Sequence, residues 1–363
     1  RGIVMLLMSF LVYGYNFLFS IFSLSFRGKL SVYFIYFPLF LILSWYGAEN
    51  IKELSVDYDN YIQWFDYIYY GAGVSLLNDK DPGFQLFLKF IQSLLGNDYF
   101  YIYFIFIFLS LFLKLNLAVD ILKKNLIPLF LILCFSRYYI LHDLNQFRAS
   151  IAIVFITYFS LKLLKKDIGL LLYLILSAIA ISVHSSVFFI FLIFFVNYYF
   201  SFLKSKYLAI GLVVAGVALY PFSQKILQNL GAVISSDFRY GAYVGSSGGY
   251  EEASISIFSF FVLVKILILV INFLIWDYLD DLYRKMVTLS SIGLFLILFF
   301  SNVAVIGWRF SELFAYFDLL CLLSPLIFLK LKMDERVLYI MALLVLSILM
   351  LYSGLMVVQR NLV

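Results

Sequence analysis

The residues able to do chemistry in this chain concentrate in one polar island, Leu141-His142-Asp143-Leu144-Asn145-Gln146-Phe147-Arg148-Ala149-Ser150-Ile151-Ala152, set between two apolar runs. It carries one of the chain's two histidines. An arginine deep in hydrocarbon costs roughly 2.5–3.5 kcal/mol on insertion scales unless it meets water or a partner, so Arg148 demands a polar site inside the protein. Asp143 or Asn145 can cap the helix that carries Arg148. Free backbone N–H groups and a guanidinium would then converge on one spot, and that is an anion site.

Other groups extend the same chemistry. Arg309 belongs near the outer end of its helix, and Arg137 and Arg239 fall in the outer half. A guanidinium stays charged and offers a planar fork that fits phosphate oxygens. Two or more of them converging could stabilise a departing diphosphate without a metal. His184 lies about sixteen residues beyond the start of its helix, roughly 24 Å of rise, which brings it to the outer rim. An imidazole there can take a proton from an attacking hydroxyl. Each residue also has a structural alternative: Arg309 paired with Glu312 one turn on, Arg148 bonded to Asp143 or to carbonyls, His184 and His142 as interfacial caps. Lys265, in mid-span, is a candidate for a buried ion pair whose partner the sequence does not assign.

The elements that must hold these groups follow from composition. The 363-residue chain is 64% hydrophobic, 21% aromatic and 13% charged, with a mean hydropathy of +1.02. A water-facing surface needs far more polar residues than that, so the fold class is all-α, a polytopic transmembrane helical bundle. Strand alternation of the β-barrel kind is absent. Cys134 and Cys321 both lie in apolar runs and read as packing thiols rather than a disulfide or metal pair. With two histidines and no cysteine cluster, neither a metal centre nor another cofactor is expected.

The apolar runs give about twelve spans of the length a helix needs to cross hydrocarbon. They run from about Ile3 to Phe26, Leu30 to Tyr46, Tyr99 to Ala118, Leu126 to Leu141, Asn145 to Lys165, and Ile168 to His184. A seventh ends at Lys204, and the rest cover about Tyr207 to Phe222, Ser254 to Trp276, Met286 to Ile306, a run ending near Lys330, and Val337 to Met356. No cleavable signal peptide is read at the amino end. All of residues 1–363 form a single integral-membrane domain on this reading. Arg27, Lys29, Lys123, Lys124, Lys165, Lys166, Lys204, Lys206, Arg284, Lys285, Lys330, Lys332 and Arg336 fall on one side of this threading, which the positive-inside rule makes cytoplasmic. The island, His184, Arg309 and two long loops, 47–97 and 223–253, therefore face outward.

The first of those loops carries two helical patterns. Tyr58, Tyr61, Ile62, Phe65, Ile68 and Tyr69 recur at helical spacing, as in a short amphipathic helix lying in the interface. Asp81-Pro82-Gly83 is a helix start, Phe84, Phe87, Leu88, Ile91, Leu94 and Leu95 form an apolar face, and Gly96-Asn97 stops it. The second loop, from Arg239 to Glu252, is rich in glycine and tyrosine. It reads either as a flap over a sugar site or as a plain connector.

Asn145-Gln146-Phe147-Arg148-Ala149-Ser150-Ile151-Ala152, followed later by Val183-His184-Ser185-Ser186 at a span's outer end, resembles the EpsG-like, Wzy-type bacterial polysaccharide polymerases. Asp57-Tyr58-Asp59-Asn60-Tyr61 ahead of Asp81-Pro82-Gly83-Phe84 is similar to that family's first outer loop. Trp308-Arg309-Phe310-Ser311-Glu312-Leu313 ahead of Tyr316-Phe317 is similar to its late arginine motif. The chain departs from the pattern at Ala149, where the family often has glutamine, at Ser55-Val56 in place of a Gly-Thr pair, and around Trp45-Tyr46, where an arginine is common.

The resemblance implies a membrane glycosyltransferase of the O-antigen polymerase type. Polyprenyl-diphosphate-linked oligosaccharide units would be joined on the outer, periplasmic face of a bacterial cytoplasmic (inner) membrane. In that reading Arg148 and Arg309 hold the diphosphate and His184 is the base. Arg137, His142, Asn145, Gln146, Asp57, Tyr58, Tyr61, Arg239 and Glu312 are the candidate substrate contacts. Membrane lipid and, through the resemblance alone, a chain-length regulator are the implied partners. No basic soluble domain is present, so nucleic acid is not an expected partner. Two alternatives remain open on the sequence. One is an O-antigen ligase or other lipid-phosphosugar glycosyltransferase. The other is a lipid-linked oligosaccharide flippase or transporter, against which the lack of an internal repeat counts.

Overall fold

Hydrocarbon offers backbone groups no water, so a spanning segment must satisfy its own N–H and C=O groups, and a helix does so within one segment. The computed structural model describes residues 2–22, 28–71, 81–223 and 254–360, and among them every regular element is helical. The helices are α1 (Gly2–Phe22), α2 (Lys29–Glu49), α3 (Ile51–Leu54), α4 (Tyr58–Tyr70), α5 (Pro82–Leu95), α6 (Tyr99–Ile121), α7 (Ile127–Cys134), α8 (Phe147–Leu164) and α9 (Leu170–Val183). They continue with α10 (Phe188–Phe200), α11 (Lys206–Leu219), α12 (Phe260–Leu274), α13 (Asp281–Phe299), α14 (Ala304–Glu312), α15 (Ala315–Phe328) and α16 (Met333–Arg360). The chain sorts into two compact units, residues 1–191 with 332–363, and residues 192–331.

Six segments are long and apolar enough to cross a membrane: α2, α6, Lys124–Leu144, α8, α13 and Met333–Met356; α14 with α15, bent by 57°, makes a seventh if counted as one. That is fewer than the twelve passages expected. The difference lies in shorter apolar helices of 10–17 residues, namely Met8–Phe19, α9, Ser185–Phe200, Lys206–Phe222 and α12. Polar breaks shorten them. His184 is extended at the end of α9, and Ser205 caps α11 by accepting a hydrogen bond from the Leu208 N–H at 3.2 Å.

One end of the first unit is gathered around Asp120. Lys29 and Lys162 meet its carboxylate at 3.0 and 3.2 Å, and Lys165 Nζ donates to its carbonyl at 3.1 Å. Lys29 and Lys165 are among the basic residues that the charge count put on one side. Arg148 starts α8 at the opposite end, about 27 Å away along a helix of this length.

The island is not a solvated turn. Beyond Cys134 the helix continues as a π helix over Phe135–Leu144, so the fourth segment runs past Leu141 and carries His142 and Asp143 into the interior, both fully buried. The expected cap is overturned accordingly. Asp143 accepts from Lys114, Ser110 and Ser150. The N-cap position of α8 belongs to Gln146, which makes no side-chain cap bond. Asn145 is also spoken for: its Oδ1 accepts from the Val56 N–H and its Nδ2 donates to the Ile140 carbonyl, both at 2.6 Å.

The two short helices of the first long loop form as the spacing predicts, with differences at the edges of their buried faces. In α4 the buried residues are Tyr61, Trp64 and Phe65, while Tyr69 is exposed. Gly71 ends α4 at φ 67°, where a side chain would be strained. In α5 the buried face is Phe84, Leu88, Ile91 and Gln92, while Leu94 and Leu95 are exposed. Each large apolar side chain buried here contributes about 1.5–3 kcal/mol. Cys134 and Cys321 are buried free thiols.

In the second unit Lys265 finds its partner. Its ammonium pairs with Asp318, whose other oxygen accepts from Ser290. Trp276 is buried.

Candidate functional site

The site is built on Phe147, the residue before the island's arginine. Its fully buried ring lies 4.1 Å from Tyr61, 4.8 Å from Phe106, 5.4 Å from Tyr103 and 5.8 Å from Phe84, centroid to centroid. That cluster pins the first turn of α8 to α4, α5 and α6. Arg148, next along the helix, is therefore held over aromatic faces: its guanidinium carbon lies 4.0 Å from the Trp64 ring centre, 5.4 Å from Phe84 and 5.5 Å from Tyr61. Such contacts contribute about 0.5–2 kcal/mol as water is excluded.

The guanidinium does not pair within the island. Arg148 Nη1 donates to Oδ2 of Asp81, at the start of α5. The same carboxylate faces His184, whose Nδ1 is 3.8 Å from Oδ2, and its Oδ1 accepts from the Ser185 N–H at 3.1 Å. Three separate stretches of chain thus meet at one carboxylate. Asp81 is 7% exposed, Arg148 21% and His184 26%, so the carboxylate is covered while the guanidinium and the imidazole reach the rim. Burial pushes the Asp81 carboxyl up. The nearby His184 imidazole, the Arg148 charge and the Ser185 N–H outweigh that and hold it below its usual 3.8. Arg148 keeps a further donor, because its Nε is buried without a hydrogen-bond acceptor among the described residues. A buried donor in that state is stabilised by any anion that reaches it.

The profile of the EpsG family matches residues 34–360, nearly the whole chain. The protein belongs to the EpsG family. No curated protein and no solved structure matches it. EpsG-like proteins are Wzy-type polymerase-like, which makes this EpsG-family chain a membrane enzyme of glycosyltransferase-like kind.

In the EpsG-family fold, Arg148 and His184 come together, and Tyr61 joins them through the aromatic wall. Tyr58 stacks on Tyr103 at 6.0 Å, and Asp57 holds the N-cap position of α4. Gln146, two residues before Arg148, is half-buried. Arg137 is buried with its guanidinium carbon 6.0 Å from the Tyr138 ring centre, and the fully buried His142 ring lies 4.9 Å from the same tyrosine. Asn145 serves the backbone at Val56 and Ile140.

Arg309 and Glu312 lie on α14 of the second unit, Arg309 exposed and Glu312 half-buried. The flanking Trp308 and Phe310 pack on Phe261 and Phe300, with centroids 6.0 and 5.5 Å apart, which fixes the helix face from which Arg309 projects. Arg239 and most of loop 223–253 fall outside the described residues.

Sequence reasoning missed Asp81 and Trp64. Asp81-Pro82-Gly83 has a local explanation as a helix start, and that explanation hid the longer-range one. Gly83 carries the surviving signal. A Cβ there would come 2.1 Å from Ser182 Oγ and 3.0 Å from the Ser182 carbonyl carbon, so α5 sits directly on α9 two residues before His184. Gly83→Ala is expected to destabilise the protein by about 1–3 kcal/mol through overpacking. Thermal unfolding in detergent checks this: adding Ser182→Gly should restore most of the loss, and an unaltered midpoint in the single variant would contradict the close approach.

Proposed function

We propose that this protein polymerises polyprenyl-diphosphate-linked oligosaccharide units at the outer face of a bacterial cytoplasmic membrane. The growing chain is the donor. The bond between its reducing-end sugar and the lipid diphosphate breaks, with the electron pair leaving on the diphosphate. A hydroxyl oxygen of the next lipid-linked unit forms the new bond to that sugar carbon and gives its proton to His184. Arg148 meets the developing negative charge with its unspent donor, and Arg309 is a further phosphate-binding arginine. Stabilising charge where it develops is the largest single catalytic effect available to such a site. General-base transfer contributes roughly 10²–10⁴-fold. The short apolar helices complete the membrane domain on this reading, and the outward side follows from the basic residues collected at the opposite end.

The observation that carries the proposal is the meeting of Arg148 and His184, distant in sequence, at one rim of the first unit, with a buried guanidinium N–H lacking an acceptor. Purified protein in nanodiscs, given lipid-linked oligosaccharide units alone, should produce a ladder of lengthening products. His184→Ala should slow the ladder by about 10²–10⁴-fold while the single unit persists. Products formed only when a second kind of acceptor is added would identify a ligase. Translocation with no new bond would identify a flippase.

A further inference from the structure

We propose that Asp81 is a positioning residue of this reaction, orienting the His184 imidazole through Nδ1 and holding Arg148 beside it. The proposal rests on the polymerase reading of the same site.

Three observations converge on it. An aspartate just before a helix ordinarily spends its side-chain oxygens on that helix's own N–H groups. Asp81 makes no such bond. Its Oδ2 is turned to Arg148 and His184 and its Oδ1 to the Ser185 N–H. Its backbone is also held at φ 54°, in the left-handed region that a non-glycine residue seldom occupies. Strain of that kind persists only where surrounding contacts impose it, and here it accompanies a carboxylate aimed at two other elements.

The carboxylate is covered, whereas the imidazole and guanidinium are partly open, so Asp81 lies behind the groups that meet substrate. Its low carboxyl pKa makes it an anion at neutral pH and a poor proton acceptor. Nδ1 lies 3.8 Å from Asp81 Oδ2, longer than a hydrogen bond but on the side facing the carboxylate, so a proton on Nδ1 is the one that Asp81 attracts. Nε2 is then the nitrogen left to take the acceptor hydroxyl's proton. Gly83 supplies the close seat on α9 that brings the imidazole to 3.8 Å from the carboxylate.

A carboxylate that orients a base and one that merely braces the fold differ in what its removal does to binding. Asp81→Asn keeps the size of the side chain and an acceptor for Ser185, and removes the negative charge. Turnover of lipid-linked units should fall by about 10²–10³-fold, since an orienting carboxylate acts through the base it holds. Affinity for polyprenyl diphosphate carrying no sugar should stay level or rise, because an anion has been taken away from the anion site. Asp81→Glu restores the charge one methylene out of place. Its turnover should lie between the two, about tenfold or more below the native protein.

Native turnover in Asp81→Asn overturns the proposal, and so does parallel loss of turnover and diphosphate binding in a folded Asp81→Asn protein. Should Asp81→Asn not fold, Asp81→Glu decides alone: native turnover overturns the proposal, and reduced turnover with native diphosphate affinity supports it. The underlying polymerase reading fails by a different result, the absence of any ladder from the native protein.

Discussion

Replacing Arg148 with alanine is expected to remove polymer altogether, a loss of about 10³-fold or more, with the single lipid-linked unit left unextended. Two losses combine. The diphosphate loses the guanidinium that meets its developing charge, and Asp81 loses the cation on its Oδ2 side. Arg148→Lys separates charge from shape. An ammonium keeps the charge but has neither the planar fork nor the stacking on Trp64 at 4.0 Å, so it should recover only a small part of the rate. Ladder formation by the three proteins, normalised to folded material, measures the effect. Polymer of native length from Arg148→Ala would reject the assignment.

The same substitution has a stability signature. Because the folded-state value of Asp81 lies below its usual 3.8, its ionised form stabilises the fold at neutral pH, and that contribution is lost as pH falls through the folded value. Arg148→Ala should therefore be less stable than the native protein at neutral pH. The two should converge on acidification below the ordinary carboxylate range.

Arg148 and His184 were legible in the sequence because polar types stand out in hydrophobic surroundings and because their places along the runs put both at outer ends. The carboxylate between them was not. Helix-start signals are local, and an aspartate that satisfies one gives no hint that its oxygens are spent on residues far along the chain. Lys265 shows the same limit. Its position in mid-span required a partner, but Asp318 lies on a different helix, and no periodicity joins the two. The existence of α4 and α5 followed from spacing, and so did the burial of Tyr61, Phe65, Phe84, Leu88 and Ile91; the edges of the faces did not, because packing around Phe147 took in Trp64 and left Tyr69 exposed. The span count depended on run length alone. The break at His184-Ser185-Ser186 reads as the boundary between two passages, but the helices on either side are only 14 and 13 residues long, short of the roughly 20 a spanning helix needs.

The largest expected effect on stability lies away from the rim, at Lys114 and Asp143. Lys114 is 1% exposed and Asp143 not at all. The carboxylate takes the ammonium on both oxygens and also accepts from Ser110 at 2.7 Å and Ser150 at 2.6 Å. The cluster joins α6, the π helix and α8, and Ser150 is two residues after Arg148, so it helps set the depth and rotation of the helix that carries the site. Removing one partner leaves the other charge buried and uncompensated, and Asp143→Ala or Lys114→Met alone should cost about 3–5 kcal/mol. Removing both should cost clearly less than either, because neither charge is then stranded. Unfolding midpoints of the two single variants and the Lys114→Met/Asp143→Ala double variant, in one detergent at one pH, form the cycle. Additive losses would show that the two charges do not depend on one another. A double variant that recovers stability but not polymer would show that the cluster's hydrogen bond to Ser150 also sets how α8 presents Arg148.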